Sequence, residues 1–568
     1  MTLNAATEKK SRFLFATLFL TTVFIATSPA QDPVNVTKFL VLGIFSTGLL
    51  GFFDFKSLKK LFLEEKFILV LITIFLIHMT ITSAFSKTPF SQDLYGLFGR
   101  NTGILTYVFF CILFLVTLSL TTINSIKTII YALLISGIIN ILYGLWVHLF
   151  GDFIPWKNNY GALLGTFGNP DFAGAFLGIT LGVIFALALS MNKIYKLIFF
   201  CVVAPLNLLV IMDTRTNQGL IVAAVTLLIV FFNYLRTTLN NLKLHWLLLL
   251  CCVPGGFITI LGMFQIGPAA SLIYKESISL RGIYWDAAFK TGNSHFITGV
   301  GMDGFGDWYR RARSEKAATW FPGPDTVTNV AHNIYLDLYA NGGVTLFFIY
   351  FTINVIAVWR LFKVFSKRND YDWIATALAA GYLGYQSQAL ISISQIGIGI
   401  WGWVLPGAIL SYERLLKSNT VFRDSVPKYI NAKKTKYDNS KLTAKQIILV
   451  PSAMLVGMLV SLPPFIADAK WTTGLKNQNL SQMESALSGG YFTPLNSDRL
   501  ANAVLILSNS NLDDLAYKYA LRGVTYNPDF FDSWKMLYYA RKASYDDKRK
   551  AISNMKRLDP NNKLLERF

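Results

Sequence analysis

Apolar runs of roughly 17–22 residues recur along the chain up to about residue 466, and they limit the fold more than any other feature. At ~1.5 Å per residue each run crosses the ~30 Å of bilayer hydrocarbon. In hydrocarbon every backbone N–H and C=O needs a partner within the same segment, so runs of this length fold as helices. Composition agrees: the chain is 53% hydrophobic and 15% charged, against roughly 25% charged residues in soluble proteins. The expected fold is therefore an all-α polytopic membrane protein. The net charge of +20 does not indicate nucleic acid, because most Lys and Arg lie in short segments between alternate apolar runs, where inner loops carry them. Cys111, Cys201, Cys251 and Cys252 all sit within apolar runs and read as small hydrophobes, not as disulfides or metal ligands.

Alternating sides from a cytoplasmic N-terminus gives a consistent topology. Lys9, Lys10 and Arg12 precede the run Phe13–Thr27 and the small residues of SPA (28–30), a signal-peptide pattern taken here as an uncleaved first span because many spans follow. Segments 55–66, 191–196, 233–245 and 360–373 then fall inside, together with the basic stretch 412–445. That basic stretch reads as a topology anchor, or as a contact for anionic lipid. The count is roughly thirteen spans, with the membrane domain expected over residues 1–466. One polar, aromatic interruption, residues 266–342, is placed on the outer face. Loops of this length inside a compact domain are usually functional, and this one is expected to close over a lipid-facing groove. Residues 467–568 turn soluble and helical. Their Asn-Pro (527–528) and Asp-Pro (559–560) pairs recur at a spacing close to the ~34-residue tetratricopeptide period, giving an expected outer tetratricopeptide-like tail.

Three residues of the outer face stand out chemically. Arg215, in LLVIMDTRTNQGLIVAA, sits where two apolar runs nearly touch. A charge there is costly unless paired or functional; it either pairs with nearby Asp213 or binds a lipid-borne anion through its planar fork. Arg281 opens LRGIYWDAAFK, read as a short interfacial helix anchored by Trp285 whose N-terminus favours an anion. His332, in TNVAHNIYLDLYANGGV, lies just before the chain re-enters the membrane, and with an ordinary pKa near 6.5 it can accept a proton. His78, His148 and His245 read as packing residues, and His295 lies among small neighbours. No His, Cys or carboxylate cluster has metal spacing and no outer loop carries an Asp-x-Asp pair, so neither metal nor cofactor is expected. DGFGD (303–307) does not join a strand to a helix and is not a nucleotide loop. The energy source must then reside in the substrate.

Taken in order, these pieces resemble the O-antigen ligase and polymerase superfamily. AHNIYLDLYANGGV resembles the family's His-Asn signature at the close of its large periplasmic loop. QDPVNVTKFLVL (31–42), LYGLFGRNTGIL (94–105), GTFGNPDFAGAFLGI (165–179), TRTNQG (214–219) and GVGMDGFGDWY (299–309) follow the family's order. The resemblance covers residues 13–415 and implies transfer of a glycan from undecaprenyl diphosphate to an acceptor hydroxyl at the outer face of the bacterial inner membrane. It implies that Arg215 and Arg281 bind the diphosphate and that His332 activates the acceptor; Arg100, at another outer boundary, is a lesser candidate for the same anion. TRTNQG lacks the commoner Ser-Arg pairing, and the tail is not part of a minimal ligase; both bear on the acceptor. Lipid A–core ranks first as acceptor, then a protein hydroxyl, with another glycan, as in a polymerase, also open. A lipid-linked-sugar flippase, the reading from a different class, would need mid-span ionisable groups and repeated halves; no convincing internal repeat is present.

Overall fold

The computed structural model describes residues 2–53, 55–239, 276–367, 370–425 and 443–567, and among these there are helices and no strand. The first half contains α1 (Thr2–Val23), α2 (Asn35–Leu50), α3 (Phe55–Phe85), the short α4 (Phe90–Tyr95), α5 (Ile104–Leu118), α6 (Ile123–Phe150) and α7 (Pro170–Ala188). Next, α8 (Lys193–Ile198) and α9 (Ala204–Asp213) are joined through a π-helical turn, Phe199–Val203, and α10 (Asn217–Leu239) follows. The long polar interruption supplies α11 (Glu276–Ser294), α12 (Phe305–Ala312) and α13 (Glu315–Thr319). Then come α14 (Ile334–Ser366), α15 (Trp373–Ala389), α16 (Ile396–Ser425) and α17 (Ala444–Lys476). The tail is α18 (Leu480–Ala486), α19 (Ser497–Asn509), α20 (Asp513–Tyr526), α21 (Phe531–Tyr539) and α22 (Tyr545–Leu558).

Among the described residues, seven helical stretches are long and apolar enough to cross a membrane, with α2 and α5 as shorter apolar helices. That is fewer than the roughly thirteen expected. Part of the difference is physical: α15 has 17 residues and is rich in Ala and Gly, so it is held by burial among other helices more than by its own hydropathy. Residues 240–275, including Cys251, Cys252 and His245, lie outside the described residues, as do residues 426–442 of the basic stretch. Cys111 is buried as expected, whereas Cys201 is exposed on the surface of its helix.

Small residues set the helix crossings, as they do where apolar solvent gives no hydrophobic drive to associate. Gly174, Gly178 and Gly182 line one face of α7 and meet Gly219, Ala223 and Thr226 of α10, so closely that any Cβ would collide. Gly43 of α2 meets Ser461 of α17 in the same way, and Gly457 of α17 meets Thr47. At one end of the bundle Arg360 bridges Glu65 (3.1 Å) and Glu413 (2.6 Å), while Arg414 reaches Glu64 (3.3 Å). These residues come from three of the segments expected on the inner side, 55–66, 360–373 and 412–445.

The polar interruption expected on the outer face is a packed unit with its own core, not an open flap. Tyr284, Ala287 and Ala288 of α11 bury against Phe305, Tyr309, Ala331, Leu336 and Ala340. Trp285, expected as a membrane-surface anchor, is buried in that core too. Two carboxylates clamp the unit to the loop before α5. Asp93 accepts from the Met302 N–H (2.6 Å) and the Ser83 hydroxyl (2.8 Å). Asp303 accepts from the Leu97 N–H (3.1 Å) and the Thr102 hydroxyl (2.8 Å). The Asp303 in DGFGD is thus a structural tie.

The helix expected to end near residue 466 continues as α17 to Lys476, and the tail folds back onto the loop. Its helices α19 to α22 pack each against the next. Arg313 and Asp559 form a buried pair at 2.5 Å, Arg311 and Asp529 a half-buried one at 2.7 Å, and the Arg310 guanidinium lies 4.1 Å from the centre of the Phe531 ring. On the other side, Asp468 accepts the backbone N–H groups of Gln31 and Asp32.

Candidate active site

His332 is held by its neighbours in sequence. Asn333 is the N-cap of α14, its side chain accepting from the N–H groups of Tyr335 and Leu336, which starts the helix directly after the histidine. One turn in, the Asp337 carboxylate reaches back to accept the Ala331 N–H at 2.6 Å. Between these two anchors His332 takes φ +56°, the left-handed region that costs a non-glycine residue ~1–2 kcal/mol. The imidazole stacks on Tyr284 of α11, ring centres 5.3 Å apart. Gly292, two turns further along α11, packs so closely on Tyr339 of α14 that a side chain there would clash.

Arg281 lies three residues before Tyr284, on the same face of α11. The helix begins at Glu276, so Arg281 stands in its second turn and not at the N-terminal N–H groups where the sequence had suggested it. Its guanidinium is largely buried and lies 4.0 Å from Asp171 in the first turn of α7. The Gly-Asn-Pro motif explains that turn: Asn169 caps α7, and Pro170 fills the first position, where no N–H is needed. Arg215 arrives at the same end of α7 by another route. It occupies the tight turn between α9 and α10 at φ +54°, and its flanking Thr214 and Thr216 hydroxyls sit against Gly174. Asp213 is bonded to His148 at 3.0 Å, and among the described residues Arg215 has no ion pair; its guanidinium is exposed. His148 is thus half of a polar pair and not a packing residue.

Arg100 comes from the turn that Asp303 ties down and reaches Asn329 at 3.4 Å. Burial lowers the proton affinity of Arg100 and of Arg281, with Asp303 and Asp171 respectively working in the opposite direction. Buried cations with incomplete compensation are sites for an anion. The same two arginines act on His332, which burial first and then Arg281 and Arg100 hold at a pKa of about 3. The imidazole is therefore neutral, with a lone pair free to accept a proton. The fold brings together Arg100, Arg281 and His332. Arg215 lies at the end of α7 that carries Asp171, the partner of Arg281.

A cavity of about 330 Å³ opens at His332, with Arg100, Tyr284, Asp307, Thr328 and Asn329 among its walls and tail residues closing the far side. Burial pushes Asp307 up to about 7. Elsewhere His295 stacks edge-on against Trp308 at 4.3 Å, away from these residues. Among the described residues no three His, Cys, Asp or Glu side chains converge as a metal site would require. Sequence reasoning missed the positioning residues Asn333, Asp337 and Asp303. An Asn directly before an amphipathic helix was legible as a cap; the reach of Asp303 across some two hundred residues to Thr102 was not.

No curated protein matches the chain. Residues 200–351, which run from before Arg215 through Arg281 and His332, match the family model described as O-antigen ligase. The chain's likeness to the O-antigen ligase superfamily stands on that stretch.

Proposed function

We propose that this protein transfers a glycan from undecaprenyl diphosphate to an acceptor hydroxyl at the outer face of a bacterial inner membrane, without a metal and with inversion at the anomeric carbon. Acceptor preference runs first to lipid A–core, as in an O-antigen ligase, then to a protein hydroxyl or a second glycan. The observation that carries the reading is the convergence of Arg100 and Arg281 on His332 in a partly dry site. About thirteen spans and a tetratricopeptide-like tail complete the proposed architecture.

In this reading the acceptor oxygen forms a bond to the anomeric carbon as the bond from that carbon to the diphosphate oxygen breaks. The electron pair leaves with the diphosphate, whose charge the fixed guanidinium groups stabilise. The hydroxyl proton passes to the His332 imidazole. Burial and the two cations keep that imidazole in its accepting form before the donor binds. The arriving diphosphate adds negative charge beside the same arginines and so favours the imidazolium as the proton arrives. Arg215, on the outer rim of the α7 end, meets the diphosphate from its exposed side.

The test is in vitro transfer with a defined undecaprenyl-diphosphate oligosaccharide. His332→Ala should lose transfer and keep donor binding, while Arg281→Ala and Arg215→Ala should lose both. Wild-type transfer by His332→Ala sinks the assignment.

A further inference from the structure

The cavity at His332 is not closed by the membrane domain. Its far wall is the tail: Asp498 at the start of α19, with Phe530, Phe531 and Asp532 at the start of α21. The donor's lipid and diphosphate belong to the opposite side, where Arg281 faces Asp171 of a membrane helix. The tail side is what remains for the acceptor.

The chemistry of that wall is selective. Asp532 is partly answered by Arg310 at 4.0 Å. Asp498 takes no hydrogen bond and makes no ion pair among the described residues; burial, followed by the charge of Asp532, pushes its carboxyl up to about 6, with the neighbouring Arg499 working in the opposite direction. A carboxylate of this kind only accepts hydrogen bonds, and it repels an anionic group set against it. The Phe531 ring already carries the Arg310 guanidinium; the Phe530 face, with its partial negative charge, favours C–H groups over anions. At about 330 Å³ the space is at the low end of small-molecule pockets (~300–1,000 Å³). It suits the end of a glycan and not a folded polypeptide.

We infer that the tail forms the acceptor subsite of this transferase, and that the acceptor residue it seats beside His332 is a sugar without negative charge, its hydroxyls bonded to Asp498 and its C–H face on Phe530. This rests on the transferase reading above.

The test uses the full-length protein in detergent or nanodiscs, and two acceptor glycans that differ only in a phosphomonoester on the terminal sugar. Transfer kinetics are measured alongside direct binding of each acceptor by ligand-observed NMR. Asp498→Asn and Phe530→Ala should each raise the acceptor KM about tenfold and leave the donor KM unchanged. Asp498→Lys should shift preference toward the phosphorylated acceptor. Asp498→Asn keeps the shape of the side chain and removes no hydrogen bond among the described residues, and an unchanged donor KM separates loss of the subsite from misfolding. Transfer with an acceptor KM indifferent to both variants overturns the inference and leaves the transferase standing, as does preference of the wild type for the phosphorylated acceptor or for a Ser/Thr peptide. Asp498-dependent binding of the neutral glycan with no transfer by the wild type supports the subsite and overturns the transferase reading instead.

Discussion

Replacing Asp559 by Asn tests whether the tail is bolted to the loop by charge. Arg313 and Asp559 are both fully buried; Nη2 meets Oδ2 at 2.5 Å and Nε meets Oδ1 at 3.2 Å, a two-point contact. Removing one partner of such a pair leaves a buried, uncompensated charge, at a cost of ~3–5 kcal/mol. Arg313 keeps weak bonds to the carbonyl groups of Gly323, Pro324 and Thr326 at 3.3–3.4 Å, so the lower end applies, ~3 kcal/mol. With tenfold per ~1.4 kcal/mol, the undocked population should rise by about two orders of magnitude. Limited proteolysis of the purified protein reads that population directly when docking equilibrates faster than cleavage. Cleavage in the tail of Asp559→Asn should therefore accelerate about a hundredfold. Asp514→Asn, which removes the exposed partner of Lys542, should change nothing. The double variant Arg313→Met/Asp559→Leu should recover most of the protection, because a well-packed apolar pair carries no desolvation cost. Cleavage of Asp559→Asn within about threefold of wild type would refute the reasoning, since even ~1 kcal/mol gives more than that.

Three further outcomes can be checked. His332 sits at about 3 in the donor-free protein, below its ordinary value, so the neutral form persists down to acid pH. The profile of kcat/KM for the donor, which reports the free enzyme, should then lack an acid limb near 6.5, and the residual activity of Arg281→Gln should show its limb at higher pH than wild type; a wild-type limb at 6.5 contradicts this. Asp337→Ala removes the acceptor that holds Ala331 and with it the left-handed turn at His332; release of ~1–2 kcal/mol of conformational preference should lower transfer about tenfold while proteolysis of the tail stays unchanged. Transfer measured after exhaustive chelation should match the untreated protein, and restoration of lost activity by a divalent cation would contradict the metal-free mechanism.

The sequence by itself determined the helical membrane class, because a backbone in hydrocarbon has no other way to satisfy its hydrogen bonds. It also singled out Arg215, Arg281 and His332, since charged and titratable groups are conspicuous against an apolar background. The local geometry was partly legible in the same way: Asn169 and Asn333 stand as caps immediately before their helices. What only the tertiary structure decided depends on contacts between distant residues. Asp213 turned to His148 and left Arg215 without an ion pair among the described residues. Arg100 joined His332 because Asp303 ties two distant loop segments together, and Trp285 went into the loop's core because that core exists. The tail became a wall of the cavity through Arg313–Asp559 and its neighbours. Periodicity reports which face of a helix is apolar; it does not report which of many apolar faces will meet, and the site is made where they do.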